Sequence, residues 1–141
     1  MTTQTPPTAL LSLGKQKYIS LTTFRRTGAA VATPVWFVRL DHTLYVYSDA
    51  TAGKVKRIRT NAQVQVAACT LLGRVKGPTI TGVARIVTDP QEQARAMTAL
   101  NAKYWMARRV LGLLDRTIAR VRGRTAAANI VYLAISPALP R

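Results

Sequence analysis

The stretch VATPVWFVRLDHTLYVYSDATAGKVKRIRTN, residues 31–61, is the part of the sequence that predicts both the fold and a site. Val31 to Val38 is rich in β-branched and aromatic residues, and Leu44 to Tyr47 is a second such run after a turn at Asp41–Thr43. Both alternating sets of the first run are largely apolar, so we expect that strand to lie between two layers. A short basic helix is predicted at Gly53–Asn61, on the spacing of its apolar residues.

The junction between the second strand and this helix predicts an anion site. Ser, Thr and Gly residues end the strand at positions 48–53, and four cations follow closely: Lys54, Lys56, Arg57 and Arg59. Free backbone N–H groups and the helix dipole favour a phosphate at such a point. Lys54 and Arg57 are three positions apart and share a helix face, whereas Lys56 lies off that face and is expected to contribute less.

Length and charge limit the classes of protein that fit. The chain has 141 residues, with 21 Lys and Arg against 5 Asp and Glu, a net charge of +16. We expect one domain over residues 1–141, with an N-terminal tail or short helix at 1–14 and a C-terminal tail at 137–141. The charge attracts polyanions, be they nucleic acid, lipid headgroups or an anionic cofactor.

Cysteine usage and hydropathy exclude several further classes. Cys69 is the single cysteine, and no Cys/His cluster accompanies it, so a structural zinc site and a disulfide scaffold are both excluded. No signal sequence and no apolar run of membrane-spanning length is evident. The sequence therefore predicts a cytoplasmic protein without a metal.

The remaining patterns predict a mainly β protein with helices. Gly28 marks a hairpin turn, and Gly82 indicates a bulge or a close approach within a strand. Asp89 and Pro90 are typical of a helix start. The predicted strands are 18–25, 31–38, 44–47, 63–72, 79–88 and 129–136, and the predicted helices are 53–61, 90–107 and a further element at 110–121. Short turns between strands favour an antiparallel, closed or nearly closed barrel, and helices do not alternate with strands as a doubly wound parallel sheet requires.

Three motifs carry a resemblance to a known family: YISLTTFRRTGAAVATPVWFV at 18–38, LYVYSDATAGKVKRIRTNAQVQVA at 44–67 and GVARIV at 82–87. Together they resemble the split β-barrel flavin and deazaflavin oxidoreductases of the pyridoxamine 5′-phosphate oxidase superfamily. The similarity extends over residues 15–136 and is greatest to small actinobacterial members that use the deazaflavin coenzyme F420. Relatives with similar barrels use FMN or haem, or bind a fatty acid.

The resemblance implies a homodimer with two equivalent sites at the subunit interface. It implies that four residues of the second strand line the cofactor ring: Thr33, Pro34, Val35 and Trp36. It also implies that four residues bind the phosphate: Ser48, Lys54, Lys56 and Arg57. Lys54 and Arg57 match the family's Lys-x-x-Arg pattern, and Tyr104 and Trp105 lie in the helix that often covers the pocket.

No residue can be assigned as catalytic from the sequence. It contains no carboxylate pair, no Ser/His/Asp set and no nucleotide-binding glycine motif, so a cofactor has to carry any chemistry. The leading hypothesis is hydride transfer from reduced F420 to a small organic acceptor. The alternatives are an FMN-dependent oxidoreductase and a non-catalytic carrier of a cofactor or apolar ligand. A basic nucleic-acid-binding barrel is a further alternative, although the arginines are not interleaved with exposed aromatic residues, so no specific nucleic acid is expected as partner.

Overall fold

The structure is a computed structural model, and it describes Leu10, Leu13, residues 15–104 and residues 130–137. Trp105, the helical element predicted at 110–121 and the residues of both predicted tails other than Leu10, Leu13 and Pro137 lie outside the described residues.

Seven strands and two helices make up the described part of the chain. Their order confirms the predicted sequence of elements, with one strand divided into two. The elements are β1 (Tyr18–Phe24), β2 (Ala30–Val35), β3 (Val38–Leu40), β4 (Thr43–Asp49), α1 (Gly53–Thr60), β5 (Gln63–Cys69), β6 (Ile80–Ile86), α2 (90–104) and β7 (Ile130–Pro137).

All seven strands form one sheet, in the order β2-β1-β5-β6-β7-β4-β3, and every pairing is antiparallel. The chain passes from β2 at one edge to β3 at the other through Trp36 and Phe37 alone. Since three extended peptide units span at most about 10 Å, the two edges must approach each other at this point. The sheet is therefore curled into a split barrel, as predicted.

The prediction of one strand over Val31–Val38, lying between two layers, is wrong. The run breaks at Trp36, and its first part is the edge strand β2, in which Ala30, Ala32 and Pro34 are exposed. The apolar pattern misled because small residues and proline are compatible with an exposed edge as well as with a buried strand. Pro34 has no N–H to donate to a neighbouring strand, which suits an edge position.

Apolar side chains form two separate cores on the two faces of the curled sheet. The barrel interior holds Leu10 and Leu13 together with residues of the strands, among them Ile19, Phe37 and Leu133. The second core lies on the outer face, where α2 covers part of the sheet. Its buried members are Val38, Tyr45, Val87, Ala96, Leu100, Tyr104 and Ala134.

Two glycines behave as the sequence indicated. Gly28 has φ +89° in the β1–β2 turn, a backbone conformation that residues other than glycine rarely adopt. At Gly82 a Cβ atom would lie 2.9 Å from the carbonyl oxygen of Ser136 on β7, so this glycine allows a close backbone approach between β6 and β7.

The hydroxyl of Tyr104 fixes the crossover between the two sheet edges. It accepts a hydrogen bond from the backbone N–H of Phe37 at 3.0 Å and lies 2.8 Å and 2.7 Å from the carbonyl oxygens of Phe37 and Lys17. The ring stacks on Trp36, with centroids 4.6 Å apart and planes 1° from parallel. Burial raises the pKa of Tyr104 to about 12, so the phenol stays protonated and can donate.

A buried acid fixes the start of α2 on the sheet. Glu92 is 8% exposed and accepts two hydrogen bonds from the Arg85 guanidinium, at 2.8 Å and 2.6 Å, and one from the Tyr45 hydroxyl at 2.6 Å. The hydrogen bonds from Arg85, followed by that from Tyr45, lower the pKa of Glu92 to about 2. Asp89 accepts from the N–H of Gln91 at 3.3 Å at the helix start, which confirms its predicted position.

We expect Tyr104→Phe to lower the free energy of unfolding by about 1 to 3 kcal/mol, because it leaves the buried N–H of Phe37 without its acceptor. Tyr132→Phe, at a half-buried position in the same core, is the matched control. Chemical denaturation of both variants measures the difference. Equal losses in the two variants would contradict the assigned role of the Tyr104 hydroxyl.

The Glu92 contacts predict an acid-dependent stability. Because the pKa of Glu92 is about 2 in the folded chain against an ordinary value of 4.5, the unfolded chain binds more protons between these values. The stabilisation is complete above the ordinary pKa and is lost as the pH falls towards 2. Glu92→Gln should cost about 1.5 to 3 kcal/mol at neutral pH and much less in acid. Denaturation at several pH values measures this, with the exposed Asp41→Asn as control; a loss that is independent of pH would contradict it.

Candidate functional site

A cationic groove of about 440 Å³ lies between the β1–β2 hairpin and helix α1. Its lining combines four cations with two threonines and one aromatic ring, and it includes no acidic residue. The lining residues are Phe24, Arg25, Arg26, Thr27, Lys56, Arg57 and Thr60. Such a surface attracts an anion and offers both charged and neutral hydrogen-bond donors to it.

A tight turn places α1 beside this groove. The Asp49 carboxylate accepts hydrogen bonds from the N–H of Thr51 at 2.9 Å and from its hydroxyl at 2.8 Å, which end β4 and start the turn. The backbone bond from Thr51, then that from its hydroxyl, lowers the pKa of Asp49. No side chain caps the helix at Ala52, and its first turn contains no acid. The positive end of the helix is therefore not neutralised by a carboxylate in its own first turn.

Arg57 is the anchored cation of the groove. Its Nε atom donates a 2.6 Å hydrogen bond to the hydroxyl of Thr23, which is fully buried on β1. A Cβ atom at Gly53 would lie 2.7 Å from Nη1 of Arg57, so the guanidinium extends back across the first turn of α1. Val55 and Ile58 are buried and hold the opposite side of the helix on the barrel.

Lys54 and Lys56 are placed differently from the simple helical expectation. Lys54 is half-buried, and its pKa is lowered, first by burial and then by the charge of Arg57. The predicted proximity of Lys54 and Arg57 is thus present. Yet Lys56, expected to contribute less, is the lysine that lines the groove with Arg57. Lys56 and residues of the β1–β2 hairpin line the same groove, and a helical wheel does not include that hairpin.

Ser48 lies apart from the groove lining. It is buried near the end of β4, and its hydroxyl donates to the carbonyl oxygen of Asp49 at 3.3 Å. Its predicted contact with a phosphate stays a prediction.

The structure separates the four residues predicted to line a cofactor ring. Val35 is buried in the barrel core, Pro34 is exposed on the outer face, and Trp36 stacks on Tyr104 in the crossover. Thr33 faces the interior with its partner Leu21, and its Oγ1 atom is buried without a hydrogen-bond partner. Burying a hydroxyl without a hydrogen-bond partner lowers the stability of the fold unless another group forms a hydrogen bond with it.

Strand β2 connects the groove with Thr33. Val31 pairs with Thr23, the residue that holds Arg57, and Thr33 pairs with Leu21 two positions further along. Successive same-face residues are about 7 Å apart along a strand. The interior face of β2 therefore leads from the end of the groove at Thr23 and Arg57 towards the unsatisfied Thr33 hydroxyl.

Sequence reasoning missed three of the groove's contributors: Thr23, Arg25 and Arg26. Arg25 ends the strand predicted at 18–25 and Arg26 begins the turn before Gly28, so neither is predicted as a site residue, although two cations beside a glycine turn are a visible signal. Thr23 gave no signal, because its role depends on the packing of α1 against β1.

Other chemistry is sparse in the part of the chain that the structure describes. No three His, Cys, Asp or Glu side chains there are grouped as metal ligands. Cys69 is buried, and burial raises the pKa of its thiol. Within those same ranges, neither helix has the length and apolar character that crossing a bilayer demands.

A family model described as pyridoxamine 5′-phosphate oxidase matches residues 8–129 of this chain. No curated protein matches this chain in sequence.

Solved structures share the fold at low sequence identity. The haem-storage protein HutZ from Vibrio cholerae has a TM-score of 0.64 at 14% identity, covering 98% of this chain and 93% of its own. A FAD-binding protein from Mesorhizobium loti has a TM-score of 0.56 at 15% identity, covering 89% and 82%. A protein described as an F420 reductase has a TM-score of 0.57 at 17% identity, covering 90% and 91%. At these identities the likeness shows the fold alone.

The Thr23–Arg57 contact predicts a positioning effect on anion binding. Thr23→Val keeps the shape and the charge of the groove but removes the acceptor that orients the guanidinium. We expect inorganic diphosphate to bind about two- to tenfold more weakly to this variant, measured by calorimetry. The neighbouring Thr22→Val is the control, and the same affinity in both variants would contradict the role of Thr23.

Proposed function

The chain belongs to the pyridoxamine 5′-phosphate oxidase family, and on that premise we propose that it is an oxidoreductase that uses the deazaflavin coenzyme F420. The observation that carries the proposal is the groove beside α1, in which four cations and no acidic residue converge. A coenzyme with several negative charges suits such a lining, whereas a neutral ligand would gain nothing from it.

The number and placement of the cations favour a cofactor that extends beyond one phosphate. Lys56 and Arg57 project from the helix, while Arg25 and Arg26 come from the facing hairpin. FMN carries a single phosphate group, whereas F420 carries a phosphodiester and an oligoglutamate tail. One phosphate can engage the helix side of the groove, and a second group of charges is needed to use the hairpin side.

The residues present fit a flavin-type group in two further respects. The Thr33 hydroxyl is buried without a partner, so a polar edge of a ring could satisfy it. Arg57 is held in place by Thr23, so the fork of its guanidinium is oriented before any anion arrives. When bound, a deazaflavin supplies hydride chemistry, and the protein has only to hold it, orient it and limit its contact with water.

We also propose that the chain acts as a homodimer. The outer face of β2 is exposed at an edge of the sheet and consists of Ala30, Ala32 and Pro34. Small apolar residues on an unpaired edge strand suit contact with a second copy. Light scattering of the purified protein tests this part of the proposal.

We expect titration with F420, FMN and FAD, followed by fluorescence quenching, to show the tightest binding for F420. Lys56→Ala and Arg57→Ala, at the two cations that α1 contributes to the groove, should each weaken that binding by about 1.5 to 3 kcal/mol, one to two decades in affinity. Arg57→Lys should recover part of the loss, because it keeps the charge without the fork. Arg25→Ala combined with Arg26→Ala should weaken F420 more than FMN.

The exposed Arg95→Ala, on α2, is the control for these variants. Tight FMN or FAD binding with no F420 binding would overturn the cofactor, and an Arg57→Ala variant that matches Arg95→Ala would overturn the phosphate site. Turnover separates an enzyme from a carrier. Bound reduced F420 that is oxidised by no quinone or enone would favour a carrier.

A further inference from the structure

Gly53 is the first residue of α1, and the backbone there does not require a glycine. The described glycines with positive φ are Gly28 and Gly73, so Gly53 has a backbone conformation that other residues also adopt. Alanine stabilises a helix more than glycine does. The lack of a side chain at the start of α1 therefore needs an explanation other than helix formation.

The guanidinium of Arg57 occupies the space that a side chain at Gly53 would need. A Cβ atom at Gly53 would lie 2.7 Å from Nη1, 3.5 Å from Cζ and 3.6 Å from Nη2 of Arg57. Real Cβ atoms do not come within 3.0 Å of another heavy atom, so one of the two groups would have to move. The group free to move is the end of the arginine side chain, because the other group is fixed to the helix backbone.

Two contacts on different sides therefore set the position of this guanidinium. Nε donates a 2.6 Å hydrogen bond to the Thr23 hydroxyl, and Nη1 packs against Gly53. The guanidinium is planar and rigid, so a shift at one nitrogen is transmitted to the others. Restoring a separation of about 3.5 Å between a Cβ atom and Nη1 requires a move of roughly 1 Å. Such a move either lengthens the bond to Thr23 or turns the terminal nitrogens about it.

This position is electrostatically unfavourable for a cation. The first turn of a helix carries partial positive charge, and that of α1 contains no acidic residue and no side-chain cap. The neighbouring Lys54 has a lowered pKa, first because of burial and then because of the Arg57 charge. Within the described residues, neither cation has a carboxylate as ion-pair partner. An oxyanion bound at this point would relieve the repulsion between these positive groups.

We propose that Gly53 is a positioning residue of the anion site, because its missing side chain lets the Arg57 guanidinium lie where it can bind an oxyanion in the groove. Arg57 lines the groove and Gly53 does not, so Gly53 acts through Arg57. Since the Nε proton is donated to Thr23, contact with the oxyanion is left to Nη1 and Nη2. The inference rests on the anion site of the proposed function, but not on the identity of the cofactor.

Calorimetric titration with inorganic diphosphate tests the proposal. We expect Gly53→Ala to bind diphosphate about three- to tenfold more weakly than the wild-type chain, with a melting temperature that is equal or higher because alanine favours the helix. Gly77→Ala is the matched control, since its Cβ atom would make an ordinary contact of 3.6 Å with Cβ of Ala68. A lower melting temperature in Gly53→Ala would overturn the proposal, because the glycine would then act through the fold.

The same titration in the Arg57→Ala background shows whether Gly53 acts through Arg57. We expect Gly53→Ala to cause no further loss of affinity there. An equal loss in both backgrounds would overturn the proposal, because the added methyl group would then hinder the anion directly. Absence of diphosphate binding by the wild-type chain would also overturn it. If the diphosphate results hold and F420 does not bind, the cofactor assignment fails and the role of Gly53 stands.

A second readout needs no ligand. The NMR signal of the Arg57 Nε–H group, identified by its loss in Arg57→Lys, reports on the hydrogen bond to Thr23. We expect this proton to exchange with water faster in Gly53→Ala and in Thr23→Val than in the wild-type chain, and at the wild-type rate in Gly77→Ala. Identical exchange in the wild-type chain and in Gly53→Ala would overturn the proposal, because the guanidinium would not have moved.

Discussion

The fold depends on one crossing of the chain from one edge of the sheet to the other. β2 and β3 are the two edge strands, and only Trp36 and Phe37 connect them. The Tyr104 hydroxyl, brought by α2, satisfies the N–H of Phe37 and lies within hydrogen-bond distance of two carbonyls there. Because these backbone groups belong to no strand pair, the Tyr104 hydroxyl supplies the hydrogen bonds that strand pairing does not. The sheet's curl, the barrel interior and the outer layer all follow from where this crossing is held.

The outer layer depends in turn on the start of α2. Glu92 joins that helix to Arg85 on β6 and Tyr45 on β4. With 5 Asp and Glu against 21 Lys and Arg in a chain of charge +16, this carboxylate neutralises a cation where the helix meets the sheet. The groove beside α1 differs, since its lining contains no acid. Because no carboxylate neutralises the four cations of the groove, the groove attracts anions.

The antiparallel pairing places different chemistry at the two ends of the barrel. At one end the β1–β2 hairpin faces α1, and cations enclose a groove with a hydroxyl-anchored arginine at its side. At the other end the β5–β6 turn presents leucines among exposed cations. Each end has positive charge, but the first combines it with a concave groove and the second with exposed apolar side chains. The concave end suits a small molecule that carries negative charge.

The sequence by itself determined the order of elements, the antiparallel class, the turns at Gly28 and Asp41 and the basic start of α1, because these follow from local periodicity, turn chemistry and charge. Only the tertiary structure decided that the 31–38 run divides between two edges, that Thr23 orients Arg57, and that Arg25 and Arg26 face the helix. These features depend on which segments come into contact when the sheet curls. Contacts between residues that are far apart in the chain cannot be predicted from local sequence patterns.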